Sequence, residues 1–206
     1  MRTDTLEEFL RSLADRVPAP GGGASAGLHA AQAAALVAMV ARYTEGDKYA
    51  EHAETVTAVR GQADELRELA LGLSEEDARV FGAVADAYRL PRSTPEEKTA
   101  RSAAIAGALG QAGEVPARVV GVADQVLGLA ERLLPIGNRN VISDVAAAAD
   151  AARAAATTAR INVEINLAGI TDTAARAGLT AAIAGVDDLA ARADKVTAAV
   201  REVIAR

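Results

Sequence analysis

Apolar residues recur at steps of three and four along almost the whole chain, and no stretch alternates at period two, so the pattern predicts helices and no strand. Thr5-Leu6-Glu7-Glu8 is a capping box that opens a first helix to about Arg16, with Thr5 as cap and Glu8 returning to its backbone. A second helix, about Ala24 to Tyr43, sets Ala26, Ala30, Ala34 and Ala38 four apart, with Gly27, Ala31 and Ala35 beside them. Such a seam of small side chains lets another helix backbone come near. A third helix runs from about Tyr49 to Leu71, after the break at Glu45-Gly46-Asp47-Lys48. Ser74-Glu75-Glu76-Asp77 reads as the start of a fourth, which ends near Tyr88 before Leu90-Pro91. Thr94-Pro95-Glu96-Glu97 combines a cap, a proline at the first helical position and an acid at the third, and opens a fifth helix to about Gln111. Pro116 opens a sixth, which stops around Pro135-Ile136-Gly137. Beyond the polar loop Asn138 to Asn140, a helix from about Ser143 to Ala168 keeps an apolar face through Val145 and Ile161. A last helix, about Thr173 to Arg206, has weak points at Gly178 and Gly185. The expected fold is all-α, an elongated multi-helix bundle in which residues 1–206 form one domain, because glycine and proline punctuate helices and no linker intervenes.

Composition adds a constraint on packing. Half of the residues are apolar but only 2% are aromatic, so a core of Ala, Leu, Val and Ile has little bulk and its helices must approach closely. A second copy would supply further buried area, and a homodimer is expected. The net charge of −6, with signs interspersed, leaves no basic stripe to neutralise phosphates and argues against a nucleic-acid partner. With no cysteine there is no disulfide frame and no thiol chemistry. The first ten residues carry two glutamates and no apolar signal core, which favours the cytoplasm. The most apolar window, Ala24 to Ala41, is mostly alanine and includes Ser25, His29 and Gln32, so it reads as a buried core helix and no membrane partner is expected.

Few groups remain for chemistry. Pro18-Ala19-Pro20-Gly21-Gly22-Gly23-Ala24-Ser25 runs two prolines and three glycines into a helix start, where close-lying backbone and free N–H groups can hold a carboxylate, a carbonyl or a phosphate. The same stretch also serves as a plain interhelical turn. It matches neither a dinucleotide nor a P-loop fingerprint, since no strand precedes it and no Lys-Ser/Thr pair follows. The two histidines, His29 in the alanine seam and His52 among charges, lack metal-ligand spacing, so no metal site is expected. Asp77 is one candidate acid, with a first-turn role behind Ser74 as its structural alternative; Asp144, beside Ser143, is a second, with a helix cap as its alternative. Asn162 and Asn166 lie four apart on one helix face, where asparagine is disfavoured against alanine, so they point to a ligand or to helix-to-helix hydrogen bonds. Asp144 and Asn162 share a face but stand about 27 Å apart along a straight helix. One small ligand cannot touch both, so they serve different parts of a long pocket or are completed by other helices or another subunit.

The order of these pieces resembles the cyclodeaminase/cyclohydrolase family: the Pro-Gly stretch, Tyr43-Thr44 with Lys48-Tyr49, Asp77-Ala78 with Phe81, Tyr88-Arg89-Leu90-Pro91, Glu96-Glu97-Lys98 with Arg101, Val115-Pro116, Gly137-Asn138-Arg139-Asn140 with Ser143-Asp144, and Asn162-Val163 with Asn166-Leu167. The resemblance covers about residues 5 to 175. It departs at Ala24-Ser25, where a serine often follows the glycines directly, and at Arg139, where proline is common. It implies a helical homodimer with a reduced-folate pocket at or near the subunit interface, and no metal or redox cofactor. The implied reaction is hydrolysis of 5,10-methenyltetrahydrofolate to 10-formyltetrahydrofolate. Cyclodeamination of 5-formiminotetrahydrofolate with release of ammonia is the alternative, and a non-catalytic folate-binding or structural dimer is a second. Asp77 is implied as the acid/base group and Asp144 as the next candidate. Pro20, Gly21, Gly22, Gly23 and Ser25 would position the substrate, Lys48 would pair with its glutamate tail, and Asn140, Ser143, Asn162 and Asn166 would hydrogen-bond it.

Overall fold

Thr5 and Thr94 cap helices as their sequences dictate, each taking an amide from the glutamate three residues on while that glutamate bonds back to the cap. The structure, a computed structural model, describes residues 2–206. Among these are seven α-helices and no strand: α1 (Leu6–Ala14), α2 (Gly22–Tyr43), α3 (Ala53–Arg89), α4 (Pro95–Leu133), α5 (Ile142–Leu167), α6 (Thr173–Ile183) and α7 (Val186–Ile204). Two short 3-10 segments, Asp47–His52 and Arg139–Val141, turn the chain before α3 and α5.

Helices α2 to α5 form an up-down-up-down bundle, whose register is fixed by pairs at both ends. Arg42 of α2 reaches Asp64 of α3 while Ala24 meets Ser74. Arg118 of α4 bonds Glu76 of α3 while Arg132 bonds Gln62. The bundle closes between α5 and α2: Gly22, at the start of α2, faces Asn162 near the end of α5, and Tyr43, at the end of α2, takes a 2.7 Å hydrogen bond from the Asn138 amide just before α5. Helix α7 lies antiparallel on α5 through Arg153–Asp194 and Arg160–Asp187, and its Arg192 forks to Asp124 and Glu131 of α4. At 37 and 39 residues, α3 and α4 are each more than 50 Å long at about 1.5 Å per residue, and together they overhang the start of α2 as a hairpin pinned by Arg101 on the Tyr88 carbonyl.

The core is continuous from α2 to α7 and is built from alanine and valine with a few leucines, including fully buried Leu73, Leu127 and Leu133. Helix α2 sits at its centre, with Ala24, Ala26, Ala30, Ala33 and Ala34 at zero exposure. It is long and apolar enough to cross a membrane, yet most of its surface is covered by neighbouring helices, as expected of a core helix.

Four sequence expectations are corrected. The third and fourth predicted helices are one, α3, because Ser74 is not a cap: it is buried in mid-helix and its hydroxyl donates to the Ala24 carbonyl at 2.7 Å. The fifth and sixth are one, α4, with Pro116 inside it; the ring forfeits one helical hydrogen bond, which burial of Val115, Pro116, Val119 and Val120 offsets. The last predicted helix is two, α6 and α7, divided at Gly185. Ile161 is not on the buried face of its helix: Val145 is buried but Ile161 is 61% exposed.

Candidate active site

The glycines are the first turn of α2 rather than a loop ahead of it. Gly21 is the cap residue, in extended conformation with no side-chain cap bond, and Gly22 and Gly23 follow as the first two helical residues. The approach is set by Pro18 and by a cis Ala19–Pro20 peptide. Ser25 turns its hydroxyl back to the Gly21 carbonyl at 3.0 Å and so stabilises the turn from within.

A side chain from α3 takes the place of the missing cap. The Asp77 carboxylate lies on the α carbon of Gly23, where a Cβ would overlap it, and accepts the backbone N–H of Ala24. Only glycine at position 23 leaves room for this contact. Burial pushes the Asp77 carboxyl up to about 6, and the Ala24 amide opposes that rise without cancelling it. Asp77 thus changes charge near neutrality, as a proton carrier must.

Around this carboxylate is a pocket of about 230 Å³ lined by Pro18, Ala19 and Gly21 to Gly23, by Asp77, Val80 and Phe81 of α3, by Ala112 of α4, and by Asn162, Ile165 and Asn166 of α5. Asn162 donates its amide N–H to the Thr158 carbonyl at 2.9 Å, and Asn166 to the Asn162 carbonyl at 2.8 Å. Bonding back to the preceding turn fixes both side chains and leaves their carbonyl oxygens as acceptors, one helical turn apart. The lining therefore offers a carboxylate, two amide carbonyls and the open amides of a helix start, with no positively charged side chain. A groove of about 470 Å³ continues from it over Phe81, Ala85 and Tyr88 and shares Ile165 and Asn166.

Of the residues singled out from sequence, Gly21, Gly22, Gly23, Asp77, Asn162 and Asn166 meet at this pocket, whereas Pro20 and Ser25 shape the turn without lining it. Lys48, Asn140, Ser143 and Asp144 do not reach it within one copy. They lie beyond the far end of α2, which is 22 residues or about 30 Å long. There Asn138 accepts from the Asn140 amide and is tied to Tyr43 and Thr44, Lys48 lies over the Tyr49 ring, and Asp144 is in the first turn of α5. Phe81 and Ile165 were missed as pocket residues. Their signal was spacing: Phe81 is four residues after Asp77, and Ile165 adjoins Asn166. Among the described residues no cluster of three or more His, Asp or Glu side chains could hold a metal ion.

Comparison with known proteins identifies the lineage of this chain. The formiminotransferase-cyclodeaminase family profile matches residues 5–185. The chain belongs to that family. It is 41% identical over 172 residues to the methenyltetrahydrofolate cyclohydrolase of Methylorubrum extorquens, covering 83% of each chain. It is 34% identical over 169 residues to the formimidoyltransferase-cyclodeaminase of Mus musculus, covering 82% of this chain but 31% of that longer protein. In three dimensions it resembles the formiminotetrahydrofolate cyclodeaminase of Thermotoga maritima with a TM-score of 0.81 at 28% identity, over 98% of this chain and 96% of that one. The all-helical fold is shared over nearly the whole length of both chains.

Proposed function

We propose that this chain is a cytoplasmic methenyltetrahydrofolate cyclohydrolase that opens 5,10-methenyltetrahydrofolate to 10-formyltetrahydrofolate. The observation that carries the reading is Asp77: a half-buried carboxylate with a carboxyl pKa near 6, facing a pocket that holds no other charge. The methenyl bridge is an amidinium-like cation, and a site with one carboxylate and two carbonyl acceptors complements it. The fused pterin fits the inner pocket, its N–H donors meeting Asn162 and Asn166, and the aromatic part of the tail extends over Phe81 and Tyr88.

The reaction is then a proton relay at one carbon. Asp77 in its ionised form takes a proton from the water that attacks the bridge carbon, leaving a neutral tetrahedral carbon held between two nitrogens. As the bond to the nitrogen at position 5 breaks, that nitrogen receives the proton from Asp77, the hydroxyl proton leaves to solvent and the formyl carbonyl forms on the nitrogen at position 10. The open amides of Gly22 and Gly23, at the wall of the pocket, are the donors that would take that oxygen as it develops charge. The steps call for no resident cofactor; the tetrahydrofolate is substrate.

Cyclodeamination runs through the same kind of tetrahedral carbon with ammonia as the leaving group, and the likeness to the Thermotoga maritima cyclodeaminase favours it as the second reading. A homodimer is part of the proposal. Phe81, Tyr88 and Ile165, which line the pocket or the groove beyond it, form with Ile161, one turn before Ile165, an exposed apolar rim, from 47% to 73% exposed. A second copy that covers the rim brings its own Asn140, Ser143, Asp144 and Lys48 toward the substrate. Supplying 5,10-methenyltetrahydrofolate and 5-formiminotetrahydrofolate separately, and following the methenyl absorbance, tests the activity. Accelerated loss with the first supports hydrolysis, and accelerated gain with the second supports deamination. No acceleration of either leaves a folate-binding or structural protein.

A further inference from the structure

Ser74 is the one buried polar side chain of α3, 2% exposed, in a helix whose other buried positions are apolar. Its hydroxyl reaches across to the Ala24 carbonyl at 2.7 Å, and Ala24 is the residue whose N–H reaches Asp77. Ser74 and Asp77 stand three apart on one face of α3, so together they grip both polar groups of a single residue in the first turn of α2. The helices pack closely at this point: a Cβ on Gly27 would sit 2.9 Å from the Ser74 backbone and Cβ. The intervening residues face the other way, Glu75 toward Arg2 and Glu76 toward Arg118.

We propose that Ser74 is a positioning residue for the reaction, setting the height of the Asp77 carboxylate above Gly23 and holding the Ala24 amide on it. The inference rests on the reading of Asp77 as the proton carrier. Without the hydroxyl, the Ala24 carbonyl loses its anchor, the first turn of α2 slides along α3, and its amide leaves the carboxylate. Burial then acts on Asp77 unopposed, so its pKa rises further. No other charge stands close enough to set that value. Helix α2 offers no ionisable group in its first turn, α5 presents the neutral Asn162 and Asn166, and α4 presents Ala112. Neighbouring charges on α3, α4 and α5 are engaged with one another, Glu75 with Arg2, Glu76 with Arg118 and Arg79, and Arg160 with Glu164 and Asp187.

The test is Ser74→Ala, which keeps a good helix former and removes only the hydroxyl. The Asp77 carboxyl, followed by carbon-13 NMR without substrate, should titrate about one pH unit higher than in the wild type, the size expected for one lost hydrogen bond to a charged group. The acid limb of the rate against pH should move with it, and kcat should fall about tenfold with KM changed less than about twofold, since binding contacts stay in place. An Asp77 titration unchanged from wild type overturns the proposal, even where thermal stability drops. A titration that moves while Asp77→Asn turns over normally upholds the clamp and rejects Asp77 as the proton carrier.

Discussion

A carboxylate packed on a glycine with no counter-charge costs stability whenever it is ionised. Asp77 has a folded-state pKa of about 6 against about 3.8 for an unperturbed carboxyl. Between those values the folded state binds more protons than the unfolded one, so stability falls as pH rises through that window, and the full penalty is present above about pH 6. Asp77→Asn removes the charge and keeps an acceptor for the Ala24 amide. The variant should therefore be more stable than wild type at about pH 8, by roughly 1–2 kcal/mol after allowance for partial exposure, and should show no such advantage near pH 4. Urea denaturation at the two pH values checks this, and equal or lower stability at both would contradict the placement of Asp77. Asp77, Asn162 and Asn166 were legible in the sequence because charged and amide side chains are conspicuous in alanine-rich helices. Ile165 was not, because an apolar side chain at helical spacing looks the same whether it fills a core or rims a pocket, and Phe81 stood out only through its place after Asp77 in the family pattern.

At the scale of elements, capping signals marked true starts at Thr5 and Thr94, where solvent-exposed backbone must be satisfied locally. They misled at Ser74. A serine followed by acids is locally indistinguishable from a cap, but here its hydroxyl finds an acceptor on another helix fifty residues away in sequence. Pro116 misled in the same manner, since its burial within α4 outweighs the local preference to start a helix. Gly185 was read as a weak point within one helix and is the junction between two. The alanine seam of α2 was legible because its meaning is geometric: small side chains along the seam let α3, α4 and α5 all approach one helix. That close approach is what brings the start of α2 within reach of both Asp77 and Asn162.

For the molecule as a whole, antiparallel packing of α2 against α5 separates the family-implied residues into two groups about 30 Å apart. Fold class followed from periodicity, and the rise along α5 already set Asp144 apart from Asn162; which residues of α2 and α3 join Asn162 lay beyond local pattern, because that depends on where long helices begin and end. If the far group serves a second copy, Asp77→Asn and Asp144→Asn chains mixed under conditions that exchange subunits should regain up to about a quarter of wild-type activity, since one site of each hybrid is intact. Activity that stays at the level of the separate variants would place Asp144 outside the reaction or within its own copy's pocket. The central claim concerns the proton carrier, and the most direct measurement is the turnover of 5,10-methenyltetrahydrofolate by Asp77→Asn above pH 6, with ligand binding measured alongside. A fall in kcat of about a hundredfold or more at nearly unchanged affinity is the predicted result, in keeping with general acid–base catalysis. Turnover within about threefold of the wild type would contradict it.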